Sequence, residues 1–247
     1  MCLLAILYRV ADDAPLIVAA NREEAYTRQG TPLQLVRDPI PFLAGLDPLA
    51  NGTWLGVNAH GLLVGITHLP RLTPSPKPRS RGLLVRDLLQ CTTAQQASEA
   101  AVAELSKPDL YEGCNLLIGD GQGLYVVQAG EWLQVHTLPP GAHVLTSRAQ
   151  VNDSSRPRIH FAQSWLAEQQ ESVNTSEGWL RRLPKLCSFT GDQSTPAICI
   201  HGPEHGTLCS SLIALRSPLK NSLLWHAQGP PDKNPYQDCS HLFADLC

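Results

Sequence analysis

CLLAILYRVADDAPLIVAANREEA, residues 2–25, decides the reading of the fold. Two apolar runs, at 2–7 and 16–20, flank a polar stretch at 12–15 that predicts the turn of an antiparallel hairpin. Both runs are apolar on successive residues, the pattern of strands covered on both faces, so their sheet is expected to lie between other layers. A hairpin also returns the end of its second strand to the start of its first. It thereby carries the polar cluster Asn21, Arg22, Glu23 and Glu24 towards Cys2.

Cys2 directly follows Met1, and cysteine is small enough at the second position for the methionine to be removed. The thiol and a free α-amine then share one residue. An α-amine titrates at roughly 7.7–8.0, close enough to neutrality to serve as the base that activates the thiol. The competing reading is a buried strand cysteine with no chemistry. A guanidinium near the thiol favours thiolate, and a carboxylate orients the guanidinium or the amine, which makes Arg22 and Glu23 candidates beside Cys2. Residues 21–24 read equally as a charged turn or a helix N-terminus.

Composition narrows the classes. The chain has 247 residues, 43% of them apolar, enough for a sizeable core, and a net charge of −3 offers no global basic field for nucleic acid. The opening apolar run is too short to span a membrane and meets Arg9, Asp12 and Asp13. A cytoplasmic protein without stable membrane insertion is expected, folded as a single domain over 1–247. Its eight cysteines are expected to be reduced thiols. Cys199, His201, His205 and Cys209 offer ligand types that zinc accepts, but their spacing matches no finger and Gly202, Pro203 and Gly206 interrupt it. No metal ligand and no cofactor are assigned.

Further strands are expected at 53–57 and 62–67, joined by the turn Asn58-Ala59-His60-Gly61, then across 114–147, 207–215 and 223–227. Helices are expected near 81–89, from Thr93 with a Thr93/Gln96 capping box, and near 157–168 and 175–183. The Pro-rich basic loop at 70–81 reads as a solvated surface loop or as a lid attracting an anion. Asn58 is ordinary turn chemistry; alternatively its amide supports an oxyanion. This element order predicts an α+β sandwich in which helices cover two sheets.

MCLL at the start, AANREEAYTR at 19–28, AGLDPLANGTWLGVN at 44–58, SRGLLVRDLL at 80–89, CNLLIGD at 114–120 and HGTLCSSLIAL at 205–215 occur in an order that resembles the NRDE family, of transport and Golgi organisation type. That family is similar to the N-terminal-nucleophile hydrolases. The resemblance implies a four-layer αββα sandwich, a nucleophile at Cys2, an oxyanion-supporting Asn58, and a polar site at Arg22 and Glu23. Asn21, Thr67, Ser147 and Arg148 are the substrate-binding candidates. Glu23 replaces the Asp of the family tetrapeptide, Ser147 stands where the hydrolases often have Asn, and Leu208 where they commonly have Arg. The function so implied is that of an N-terminal cysteine amidohydrolase or acyltransferase acting on a small acyl or amide substrate. The alternative is a non-catalytic binding or trafficking protein for haem or acyl-coenzyme A-type ligands.

Overall fold

The computed structural model describes residues 2–246. In chain order the strands and helices are β1 (Leu3–Ala11), β2 (Ala14–Ala25), β3 (Gln34–Val36), β4 (Phe42–Asp47), β5 (Gly52–Asn58), β6 (Leu63–His68), α1 (Arg81–Leu88), α2 (Ala94–Leu105), β7 (Cys114–Gly119), β8 (Leu124–Ala129), β9 (Leu133–Thr137), β10 (Gly141–Thr146), α3 (Pro157–Gln170), α4 (Ser176–Cys187), β11 (His205–Leu215), β12 (Leu223–Ala227), β13 (Gln237–Asp238) and α5 (Leu242–Leu246). The chain forms two compact units. The first joins the residues up to 29 to residues 140–244; the second holds residues 30–139 and the last few of the chain.

The first unit is built on a six-stranded antiparallel sheet in the order β10-β1-β2-β11-β12-β13. The expected hairpin is its centre, with Leu3 opposite Asn21 and Tyr8 opposite Leu16. Alternation along the strands sends Leu3, Ala5 and Leu7 of β1, Ile17 and Ala19 of β2, and Leu212 and Ala214 of β11 into one core. Ile159, Ala162 and Leu166 of α3 and Trp179, Leu180 and Leu183 of α4 complete that core. Leu4, Ile6, Leu16 and Val18 on the opposite face are buried as well, as the unbroken apolar runs require. β2 does not stop at residue 20. It continues to Ala25 because β11, nearly 200 residues later, pairs with it from Leu16 through Ala25. Residues 21–24 are therefore neither a turn nor a helix N-terminus.

The second unit is a seven-stranded antiparallel meander running β3 to β9 in chain order. Phe42, Leu62, Val64, Leu116 and Ile118 pack against Leu84, Val85 and Leu88 of α1 and Ala97 and Ala101 of α2. Helix and sheet approach closely where Gly52 meets Gly82: a Cβ on Gly52 would lie 2.3 Å from the Gly82 carbonyl carbon. Thr93 caps α2 by accepting from the Gln96 amide at 3.2 Å, but the Gln96 side chain reaches back to Thr92 rather than to Thr93. Pro41, Gly45 and Pro48 dilute the strand pattern of β4, and pairing on both sides, with β3 and β5, secures it. Among the described residues no helix is long and apolar enough to cross a membrane.

Candidate active site

Cys2 lies one residue ahead of β1, and the chain after β10 holds it in place. The Cys2 backbone nitrogen donates to Ser147 Oγ at 2.9 Å, and the Cys2 carbonyl accepts from the Ser147 amide at 3.1 Å. On the other side, the Cys2 thiol donates towards the Glu23 carbonyl at 3.8 Å.

The pleat of β2 divides its polar residues. Asn21 turns to the helix side, where its Nδ2 donates to the carbonyls of Cys187 at 2.9 Å and Ile198 at 3.1 Å. Glu23 turns the same way and meets Arg158 of α3 in a two-pronged pair: Nη1 donates to Oε2 at 3.1 Å and Nη2 to Oε1. Arg158 Nη2 also donates to the Ile198 carbonyl at 2.7 Å. Arg22, between them in sequence, takes the opposite direction and donates to the Arg28 carbonyl at 3.0 Å. Across from it on β11 stands Cys209, while Thr207 faces Glu23, and Leu208 occupies a bulge between the two.

The charges explain how polar groups survive in this strand. Burial raises Glu23 against the opposing Arg158 guanidinium, whose two-pronged pairing gives both carboxyl oxygens a partner inside the sheet. Burial, and then the Glu23 carboxylate, raise the Cys2 thiol, against the opposing effects of its hydrogen bond to the Glu23 backbone and of Arg22. Cys209 is pushed up to about 12, by burial, again opposed by Arg22. A raised Cys2 is a neutral thiol near pH 7, and its reaction needs a base within reach. The atom held by Ser147 is the backbone nitrogen of the same residue.

Of the residues singled out from sequence, the structure brings Cys2, Arg22, Glu23 and Ser147 together at one end of β10-β1-β2-β11, with Asn21 behind them. Arg148 follows Ser147 but is exposed, with φ +64°. Asn58 and Thr67 belong to the second unit. Asn58 Nδ2 donates to the carbonyls of Leu89 at 2.8 Å and Cys91 at 2.7 Å, and its Oδ1 accepts from His60 and Leu62. Its amide therefore ties the β5–β6 turn to the end of α1, with both N–H groups already engaged. Thr67 accepts from Asn115 at 3.2 Å, and Asn115 accepts from Gln128 at 2.7 Å, a buried polar string that sequence did not suggest. Three cations of the basic loop also have internal partners: Arg79 donates to Asp87 and Tyr111, Arg71 to the Tyr111 carbonyl, and Arg81 to the Gly113 carbonyl. A groove in the second unit is lined by Arg71, Lys107, Asp109, Tyr111, Glu112 and Glu131 among others, and includes none of the Cys2 group.

Arg158 is the site residue that sequence reasoning missed. No local signal pointed to it: Glu23 lies in the sheet because β11 pairs with it, and its guanidinium comes from α3, 135 residues away.

A sequence model described as Transport and Golgi organisation 2 matches residues 1–219. The chain belongs to the Transport and Golgi organisation 2 family. The mouse Transport and Golgi organization 2 homolog is 34% identical over 109 residues, a match covering 42% of this chain and 38% of the mouse protein. Among solved structures, a C-to-A mutant of the conjugated bile acid hydrolase of Clostridium perfringens superposes with a TM-score of 0.56 at 13% identity, covering 96% of each chain. The N-acylethanolamine-hydrolyzing acid amidase ortholog of Caenorhabditis elegans gives 0.55 at 14% identity, covering 86% of this chain and 92% of its own. At such identities the likeness shows the fold: α+β, of the N-terminal-nucleophile hydrolase type, the class implied by the opening motifs.

Proposed function

We propose that this family member is an N-terminal cysteine amidohydrolase or acyltransferase acting on a small acylated substrate. The observation that carries the reading is the grip of Ser147 on the Cys2 nitrogen. After removal of Met1 that nitrogen is an amine fixed beside its own thiol, with Ser147 accepting one of its protons and leaving its lone pair for the thiol proton.

In the proposed reaction the amine takes the thiol proton as Sγ bonds to the acyl carbon. The tetrahedral intermediate collapses as the ammonium protonates the departing amine, leaving a thioester on Cys2. Water or an acceptor amine then attacks the thioester, and the proton returns to sulfur. Arg22 stabilises developing negative charge on the thiol's side of the sheet, and Glu23, locked to Arg158, fixes the strand that carries it. The two solved relatives, a bile acid hydrolase and an acylethanolamine amidase by title, support an acyl amide as the substrate class.

The second reading is a non-catalytic binding or trafficking protein for haem or acyl-coenzyme A-type ligands, and two observations favour its non-catalytic part. The amide N–H groups of Asn58 are engaged in a turn, and the Cys2 thiol is raised. Intact-mass spectrometry of the full chain, before and after exposure to activated acyl amides and esters, separates the readings. Loss of Met1 and an acyl adduct on Cys2 support the enzyme; retained Met1, or no adduct with any acyl donor, overturns it.

A further inference from the structure

Outside the Cys2 group, one other cluster of chemically able side chains stands out in the first unit: Cys199, His201 and Asp232, whose ligand atoms all lie within 4.8 Å of one another. Cys199 and His201 sit on an extended arm that folds back on the start of β11. The Ile200 amide donates to Thr207 Oγ1 at 2.9 Å, and the Thr207 amide returns a bond to the Ile200 carbonyl at 2.9 Å. In extended chain, residues two apart share a face, so the C-x-H spacing directs sulfur and imidazole to the same side. Asp232 arrives from a separate turn, closed by the Lys233 and Asn234 amides donating to the Pro230 carbonyl.

The way the three groups meet distinguishes a metal site from a proton relay. In a cysteine–histidine–carboxylate relay the two imidazole nitrogens face opposite partners, so that thiol and carboxylate lie on either side of the ring. Here a single nitrogen, His201 Nε2, faces both Cys199 Sγ at 3.8 Å and Asp232 Oδ2 at 2.9 Å. The other carboxylate oxygen, Asp232 Oδ1, lies 3.1 Å from Cys199 Sγ. Ligand atoms of a tetrahedral zinc ion, with metal–ligand bonds of about 2.0–2.3 Å, stand roughly 3.3–3.6 Å apart, so these side chains, with one ligand atom of each within 4.8 Å of the others, need only small shifts to enclose an ion.

We propose that Cys199, His201 and Asp232 form a binding site for a divalent transition-metal ion of the zinc type, with its fourth position open to solvent. One sulfur, one nitrogen and one oxygen make a set that zinc accepts and that suits magnesium or calcium poorly. Cys199 is buried, whereas His201 and Asp232 are exposed, so the ion has an entry path. Two ligands come from the arm and one from the tail segment at 230–234, and the ion therefore staples the tail to the arm whose Ile198 carbonyl receives both Asn21 and Arg158. The site corrects the sequence pattern that suggested a cluster. His205 lies across the turn, and Cys209 belongs beside Arg22.

The test is titration of the full-length, metal-stripped chain with Co²⁺, followed by displacement with Zn²⁺. One equivalent of Co²⁺ is expected to give a thiolate-to-cobalt charge-transfer band in the near ultraviolet, and one equivalent of Zn²⁺ to abolish it. The band should vanish in Cys199→Ser. Affinity should fall by at least about tenfold in Asp232→Asn and in His201→Gln, whose exposed positions keep the fold intact by circular dichroism. Absence of the band in the wild type, its survival in Cys199→Ser, or unchanged affinity in both exposed variants overturns the proposal. None of these outcomes depends on whether Cys2 is a nucleophile.

Discussion

The backbone nitrogen of Cys2 donates to the hydroxyl of Ser147 at 2.9 Å, joining residues 145 apart in the chain. In the proposed mechanism this contact orients the base. Ser147→Ala is expected to slow acylation of Cys2 by an activated ester roughly 10- to 100-fold, a share of the 10²–10⁴ that a positioned base contributes. The matching stability loss is about 1 kcal/mol, one hydrogen bond. Stopped-flow acylation alongside urea denaturation checks both, and an unchanged acylation rate counts against the amine as base.

Glu23 and Arg158 form a buried pair, with side chains 2% and 12% exposed. Arg158→Ala strands the carboxylate and is expected to destabilise the fold by about 3–5 kcal/mol, whereas the double change Glu23→Leu with Arg158→Met should recover most of that loss. Chemical denaturation of the two variants measures it. A loss under about 1 kcal/mol for Arg158→Ala shows that the pair does not hold the strand.

Asn58→Ala removes four hydrogen bonds and leaves the carbonyls of Leu89 and Cys91 without that donor. The expected result is a loss of roughly 2–4 kcal/mol from unpaired buried groups, with acylation of the folded variant unchanged. The opposite pattern, intact stability and acylation reduced about 10²–10³-fold, identifies Asn58 as an oxyanion donor.

Arg86 grips Asp38 with two hydrogen bonds, at 2.7 and 2.8 Å, and these hold the Asp38 carboxyl below the usual carboxylate range. A depressed folded-state value contributes stability that is complete above the unfolded value of about 3.9 and is lost as the pH falls through the folded one. Asp38→Asn is therefore expected to lower stability at pH 7 by about 1 kcal/mol and to make no difference in strong acid. Melting curves of wild type and variant across that range give the comparison; a gap that persists in acid assigns the effect to packing.

The sequence disclosed those parts of the molecule whose cause is local. The β1–β2 hairpin follows from two apolar runs around Asp12 and Asp13, the β5–β6 turn from Asn58 and Gly61, and the start of α2 from the Thr93 hydroxyl. What stayed hidden depends on distant partners. Residues 21–25 are strand because β11 pairs with them, and no window around Asn21 contains that information. Arg158 was invisible as the partner of Glu23 for the same reason, as was Asp232 as the partner of Cys199 and His201. Asn58 shows the converse: a residue type able to support an oxyanion is fully engaged by four backbone groups that sequence could not place around it.

The two-part make-up of the first unit orders events during synthesis. The β1–β2 hairpin is made first, but the strands that flank it, β10 and β11, and the helices that cover it, α3 and α4, all follow residue 140. At about 5–20 residues per second, the ribosome needs roughly 5–20 s to make the intervening second unit. Throughout that interval the hairpin carries two unpaired edges and an apolar face without its cover, while the meander that follows can close on neighbours already made. The nascent chain is therefore most vulnerable to aggregation at this hairpin, and shielding of β1 and β2 until β11 emerges is a demand that the connectivity places on the cell.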